Sequence, residues 1–157
     1  MRLLDSVCKL LADKYKRVPV YIGEVPEGFS RPSFLVTLAT EGTKLLNKKV
    51  YEDTPLFQIT YFSRRNAVGQ ATAIDLYRKK EELKALFLLP GAIPVVPGEV
   101  QEKKRYAKVN SFTSEVRLSE DCVYSKVSLS FTNDTKQEKQ YELIQDIDLV
   151  MSSTRNY

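Results

Sequence analysis

Val20-Tyr21-Ile22, then Glu24-Val25-Pro26, Phe29-Ser30-Arg31-Pro32-Ser33-Phe34 and, farther on, Tyr51 with Pro55-Leu56-Phe57-Gln58-Ile59-Thr60-Tyr61-Phe62 set the reading of this chain. Apolar residues alternate on both sides of a loop, and Pro32 holds Arg31 extended, so the order is strand, proline-pinned loop, strand, hairpin, strand. No catalytic group lies inside the segment.

Working outward, Leu3, Leu4, Val7, Leu10, Leu11 and Tyr15 recur at helical spacing, with Asp5, Lys9, Asp13, Lys14 and Lys16 opposite them. An amphipathic helix is expected there. Asp5 and Lys9 interrupt any apolar run of the length a secretory signal uses. Val18, Val20 and Ile22 alternate as a short strand, and Pro26, Gly28 and Pro32 mark a loop kept ordered by the need to bury Phe29. Strands are expected over Phe34–Ala39, Leu45–Tyr51 and Leu56–Phe62, the first two joined by a turn at Thr40-Glu41-Gly42-Thr43. Phe57, Ile59 and Tyr61 then share one face.

Asn66 reads as the N-cap of a long helix from about Ala67 to Leu88 whose buried seam uses Ala73, Leu76, Tyr77, Leu83, Leu86 and Phe87. Gly69 weakens its first turn, and Pro90-Gly91 ends it. Beyond a proline-rich link, Tyr106–Leu118 and Val123–Thr132 form a second hairpin through Ser119-Glu120-Asp121, with Val123, Val127, Leu129 and Phe131 inward. The expected fold is α+β: a mostly antiparallel sheet of about five to six strands, flanked by an N-terminal helix and one long central helix. Residues 1–132 form the domain and 133–157 a polar linker and docking segment. In the latter, Leu143, Ile144, Ile147, Val150 and Met151 keep helical spacing, although Ile147, Leu149 and Met151 also fit a strand. This stripe docks on its own domain or on a neighbouring subunit.

The 157 residues suit one domain that buries about 68–70% of its unfolded surface. Hydrophobic content of 43% beside 28% charged residues is that of a cooperative globular fold. The net charge of +4, from 24 basic and 20 acidic residues, is too small to name a nucleic-acid partner. Basic clusters at Lys48-Lys49, Arg64-Arg65, Arg78-Lys79-Lys80 and Lys103-Lys104-Arg105 read first as solvated faces. Cys8 and Cys122 read as buried free thiols. The uncharged stretch Ala85–Gly98 is broken by prolines and too short to span a membrane.

The chain has no histidine, which removes the commonest general base, the commonest zinc ligand and every Ser-His or Cys-His nucleophile. The two cysteines are far apart, no phosphate-cradling Gly-Lys-Ser/Thr loop occurs, and the acid pairs Glu81-Glu82 and Glu120-Asp121 sit on a helix surface and a turn. Asp146 and Asp148 lack the further oxygen ligands of a calcium site. No catalytic residue, metal or cofactor is expected. Nine tyrosines, among them Tyr21, Tyr51, Tyr61, Tyr106 and Tyr124, fit either base stacking or protein packing.

With these residues in view, the chain resembles the phage tail terminator family of tailed phages and phage-tail-like particles of Gram-positive bacteria. The resemblance covers roughly residues 2–132. It rests on the opening amphipathic helix, Tyr21-Ile22-Gly23-Glu24, Arg31-Pro32-Ser33-Phe34, and Tyr51–Phe62 preceding a long helix. It implies a structural protein that forms a ring, a hexamer, on the head-proximal end of the tail tube. There it stops polymerisation and offers the surface that the head connector joins. The implied partners are other copies of the chain, the tube protein, and the sheath and head connector proteins, with DNA passing through the lumen unread and no membrane involved. Assembly takes place in the bacterial cytoplasm. Lys48, Lys49, Arg64 and Arg65 are candidates for docking on tube or connector, and Leu143, Ile144, Ile147 and Val150 for a subunit or collar contact. The hairpin 103–132 and the C-terminal segment after it are longer than the family leads one to expect, which suits a particle-specific docking element. The rival readings are another connector or tail-completion protein and, from a different class, a nucleic-acid-binding module.

Overall fold

The computed structural model describes residues 2–97 and 103–134. Two helices lie on one face of a six-stranded sheet: α1 (Arg2–Lys14), β1 (Val20–Ile22), β2 (Ser33–Leu45), β3 (Val50–Phe62), α2 (Ala73–Phe87), β4 (Ala92–Val95), β5 (Arg105–Arg117) and β6 (Cys122–Asp134). The sheet order is β1-β2-β3-β6-β5-β4. Among the described residues, only β1 runs parallel to its neighbour. The α+β class and the two flanking helices agree with the sequence pattern.

The interior follows from period-two alternation. Phe34 and Val36, Phe57, Ile59 and Tyr61, Val123, Val127, Leu129 and Phe131, and Ala107 and Val109 all point to the helix side and are buried. Against them α1 presents Leu3, Val7 and Leu11, and α2 presents Leu76, Leu83 and Phe87. Aromatic contacts knit the layers: Tyr15 to Phe34 at 5.0 Å, Phe34 to Tyr61 at 5.2 Å, and Phe87 stacked on Phe112 at 6.3 Å. Emptying one such site, as in Phe87→Ala, costs about 3–5 kcal/mol. Ser6 fastens the start of α1 to the end of β4, its hydroxyl accepting from Val96 N at 2.9 Å and donating to Arg2 O at 2.6 Å.

Three local expectations need correction. The first hairpin has two long strands rather than a three-strand meander: β2 continues through Thr40–Thr43, and the chain turns at residues 46–49. Gly42 is there for close packing, since a Cβ would stand 2.9 Å from Thr54 Oγ1. The turn belongs to Asn47, whose side-chain oxygen accepts from Lys49 N at 2.7 Å and Val50 N at 3.0 Å. Asn66 likewise makes a turn, accepting from Val68 N and Gln70 N, while Thr72 caps α2 by accepting from Asp75 N at 3.3 Å. That late start leaves Ala73 and Tyr77 exposed rather than in the buried seam. Finally, the proline-rich link contains β4, which pairs with β5 from Ala92↔Lys108 to Val95↔Arg105. The second hairpin forms where expected, and β6 runs on to Asp134, two residues past Thr132.

Candidate functional site

The predicted docking residues fall at opposite ends of one strand. Lys48 and Lys49 sit exposed at the β2–β3 tip, close to Leu45 and Leu46, which are 65% and 47% exposed. Arg64 and Arg65 follow the far end of β3. That strand has 13 residues, so the two pairs stand about 40 Å apart at roughly 3.3 Å per residue. They are two surfaces. Leu143, Ile144, Ile147 and Val150 lie outside the described residues.

The arginine end is the better organised. Asp121 follows a 3-10 turn, Leu118–Glu120, with a left-handed backbone at φ 56°, a conformation that aspartate tolerates better than most residues. Its carboxylate accepts from Ala71 N at 2.8 Å and from Arg65 Nε at 3.1 Å, so it fixes both the approach to α2 and one of the predicted arginines. Ser63 donates to Asp75 at 2.6 Å and Tyr61 donates to the same carboxylate oxygen at 3.4 Å. Burial first, and then the Asp75 charge, push the Tyr61 hydroxyl up to about 12. Arg31 donates to Ser63 O at 3.2 Å, its guanidinium 5.5 Å from the Phe29 ring and 5.4 Å from the Phe62 ring. Between these groups opens a cleft of about 570 Å³ lined by Pro32, Tyr61, Arg64, Arg65, Asn66, Thr72, Ile74, Asp75 and Arg78.

Sequence reasoning singles out Arg64 and Arg65 but not the cleft. Arg78 reads as part of a solvated basic run, Asp121 as half of a solvated acid pair in a turn, and Asp75 carries no pattern of its own. The αL aspartate at the end of the Ser119-Glu120-Asp121 turn is the one available signal. The cleft has charge and shape but no reactive group. Burial pushes the Cys122 thiol up, and burial with the Asp5 charge pushes Cys8 up to about 11, so neither is an activated nucleophile. Among the described residues no three His, Cys, Asp or Glu side chains gather as a metal site, and no helix is long and apolar enough to cross a membrane.

The tyrosines do not form one stacking row. Tyr61 is buried on the helix side, whereas Tyr124 lies on the opposite face under the Arg117 guanidinium at 4.3 Å. That opposite face is polar, carrying Thr37, Gln58, Lys126 and Thr113 across four strands.

Both long outer strands are partly open. β1 covers β2 only from Phe34 to Val36, and β4 covers β5 only from Arg105 to Lys108, with Gly91 O accepting from Val109 N. Among the described residues, the outer edges of Leu38–Leu45 and Asn110–Arg117 therefore have no strand partner. Such edges are templates for a further strand. Compared with known proteins, the chain is matched over residues 2–142 by a family model described as phage tail terminator protein. No curated protein matches it.

Proposed function

The chain belongs to the phage tail terminator family, and from that premise we propose that it forms a ring, a hexamer, which caps the head-proximal end of the tail tube. The ring stops tube growth and presents the surface to which the head connector joins. The observation that carries this reading, besides the family, is the pair of open edges, on β2 and β5, at opposite sides of a rigid sheet. Two different edges on one subunit suit the head-to-tail contact that closes into a ring when its rotation permits. The role requires no catalytic side chain, and the protein acts as a structural part rather than an enzyme.

Within the ring, the Lys48-Lys49 tip and the Arg64-Arg65 corner, about 40 Å apart along β3, serve the two ring faces, one toward the tube and one toward the connector. Residues 141–151, with Leu143, Ile144, Ile147 and Val150, contribute to the contact between subunits or with the collar. DNA passes through the lumen without being read. Assembly takes place in the cytoplasm of the bacterial host.

Electron microscopy of particles from a producer lacking this chain tests the reading. Overlong, irregular tubes are expected. Tubes of normal length that fail to join heads would make it a connector instead, and intact infectious particles would remove it from tail assembly.

A further inference from the structure

We propose that the arginine-lined cleft beside α2 receives the acidic, apolar stretch Glu142–Leu149 of a second copy of this chain. The inference rests on the ring reading, which places copies side by side, and it names what one copy gives the next.

The cleft carries an excess of positive charge, three arginines against the one lining acid, Asp75. Arg64 and Arg78 are both exposed, and neither guanidinium meets an acid among the described residues. Arg65 is held by Asp121, so it is positioned in advance. On the same rim Ile74 is 70% exposed and, one turn on, Tyr77 is 50% exposed. A ligand for this surface needs carboxylates interleaved with aliphatic side chains.

The chain carries such a sequence. Residues 140–154 contain three acids, Glu142, Asp146 and Asp148, and no base, with Leu143, Ile144, Ile147 and Leu149 between them. Arginine forks pair bidentately with carboxylates, and aliphatic neighbours exclude water from such pairs.

Reach favours a neighbouring copy. The cleft lies beyond the Phe62 end of β3, which pairs with Cys122 at the start of β6. Asp134 is at the other end of that 13-residue strand, about 40 Å away at roughly 3.3 Å per residue. Glu142 stands eight residues beyond Asp134, a reach of at most about 29 Å when fully extended. Glu142 therefore cannot reach its own chain's cleft, and Asp146, twelve residues beyond Asp134, does so only with the intervening chain drawn almost straight, at about 43 Å, whereas copies set side by side in a ring can bring a neighbour's cleft closer.

Two full-length variants, Ile74→Cys and Ile147→Cys, are co-expressed and oxidised with diamide. Disulfide-linked dimers are read on a non-reducing gel against the parent, whose buried Cys122 and half-buried Cys8 set the background. A heterotypic dimer well above background is expected. It should fall more than tenfold when Arg64→Glu and Arg78→Glu are added to the Ile74→Cys chain. It should recover when Glu142, Asp146 and Asp148 of the other chain are changed to lysine. Arg64 and Arg78 are exposed, so their reversal leaves the core intact, and an unchanged melting temperature of each variant checks that folding is preserved. No heterotypic dimer, a dimer indifferent to the charge changes, or an Ile74→Cys chain linked to a different protein instead overturns the inference. A chain carrying both substitutions that closes only on itself does the same. Tube length in the deletion strain reports on the terminator reading independently.

Discussion

The Tyr15 hydroxyl, just past α1, donates to Glu82 Oε1 of α2 at 3.0 Å, and this bond ties the end of one helix to the middle of the other. Lys79 Nζ completes the junction, 3.3 Å from Glu82 and 4.4 Å from the Tyr15 ring. Tyr15→Phe keeps the ring and deletes the bond, so it should lower stability by about 1 kcal/mol. Urea denaturation with an unchanged m-value is the measurement. An unaltered midpoint would mean that water replaces the bond at no cost.

Alkali should loosen the same region. Burial, followed by nearby carboxylates, holds the Tyr15 and Tyr61 hydroxyls well above the ordinary tyrosine range, Tyr61 at about 12. Their folded-state affinity for protons exceeds the unfolded one, so this stabilisation is complete below the unfolded value near 10. It is lost as pH rises from there through the folded values. Thermal melting at pH 9, 10, 11 and 12 should show a decline that begins above pH 10, and Tyr61→Phe should make that decline shallower.

Asp121 predicts an order among substitutions. Asp121→Ala leaves Ala71 N–H without its acceptor and Arg65 without its anion, and it places alanine at φ 56°. A loss of about 2–3 kcal/mol is expected. Asp121→Asn keeps an acceptor and tolerates the left-handed backbone, so it should lose less. Chemical denaturation of both variants checks the order, and equal losses would mean that the carboxylate charge alone matters.

Ser125 predicts a gain. Its hydroxyl is fully buried on the helix side of β6 and has no hydrogen-bond partner among the described residues. Ser125→Ala removes an unsatisfied polar group at little cost in packing, and stability should hold or rise by up to about 1 kcal/mol. A fall in melting temperature would mean that the hydroxyl is satisfied in solution.

Lys48 and Lys49 predict the opposite of a core effect. At an exposed tip, reversing both to glutamate should change folding stability by no more than about 0.5 kcal/mol. Within the proposed role, tail joining should nevertheless fail, which particle counts by microscopy would read.

The core is legible in the sequence because burial in a sheet writes itself as alternation: Phe57, Ile59 and Tyr61, or Val127, Leu129 and Phe131, need no other clue. Residues that serve two purposes mislead. Gly42 reads as a turn residue, yet it is there because Thr54 crowds it from the paired strand. Asn66 reads as a helix cap, yet it spends its oxygen on its own loop, well before the true cap at Thr72 makes its bond. Ala92–Val95 is hidden by Pro94, which a short edge strand tolerates because one side makes no ladder bonds. The cleft is hidden for another reason. Asp75 and Asp121 are far apart in sequence and meet Arg65, Ser63 and Ala71 only through tertiary folding.

The two short edge strands also govern how a neighbour can attach. β1 shields the start of β2, while β4 shields the start of β5, and because those strands run in opposite senses the bare lengths lie at opposite ends of the sheet. A neighbour joined edge to edge must slide along the strands to bring bare backbone to bare backbone. Sheets that close on themselves do so through such an offset, which sets the slant of every strand to the axis. In the proposed ring, β1 and β4 thus work as end-stops that dictate the pitch at which copies of this fold meet.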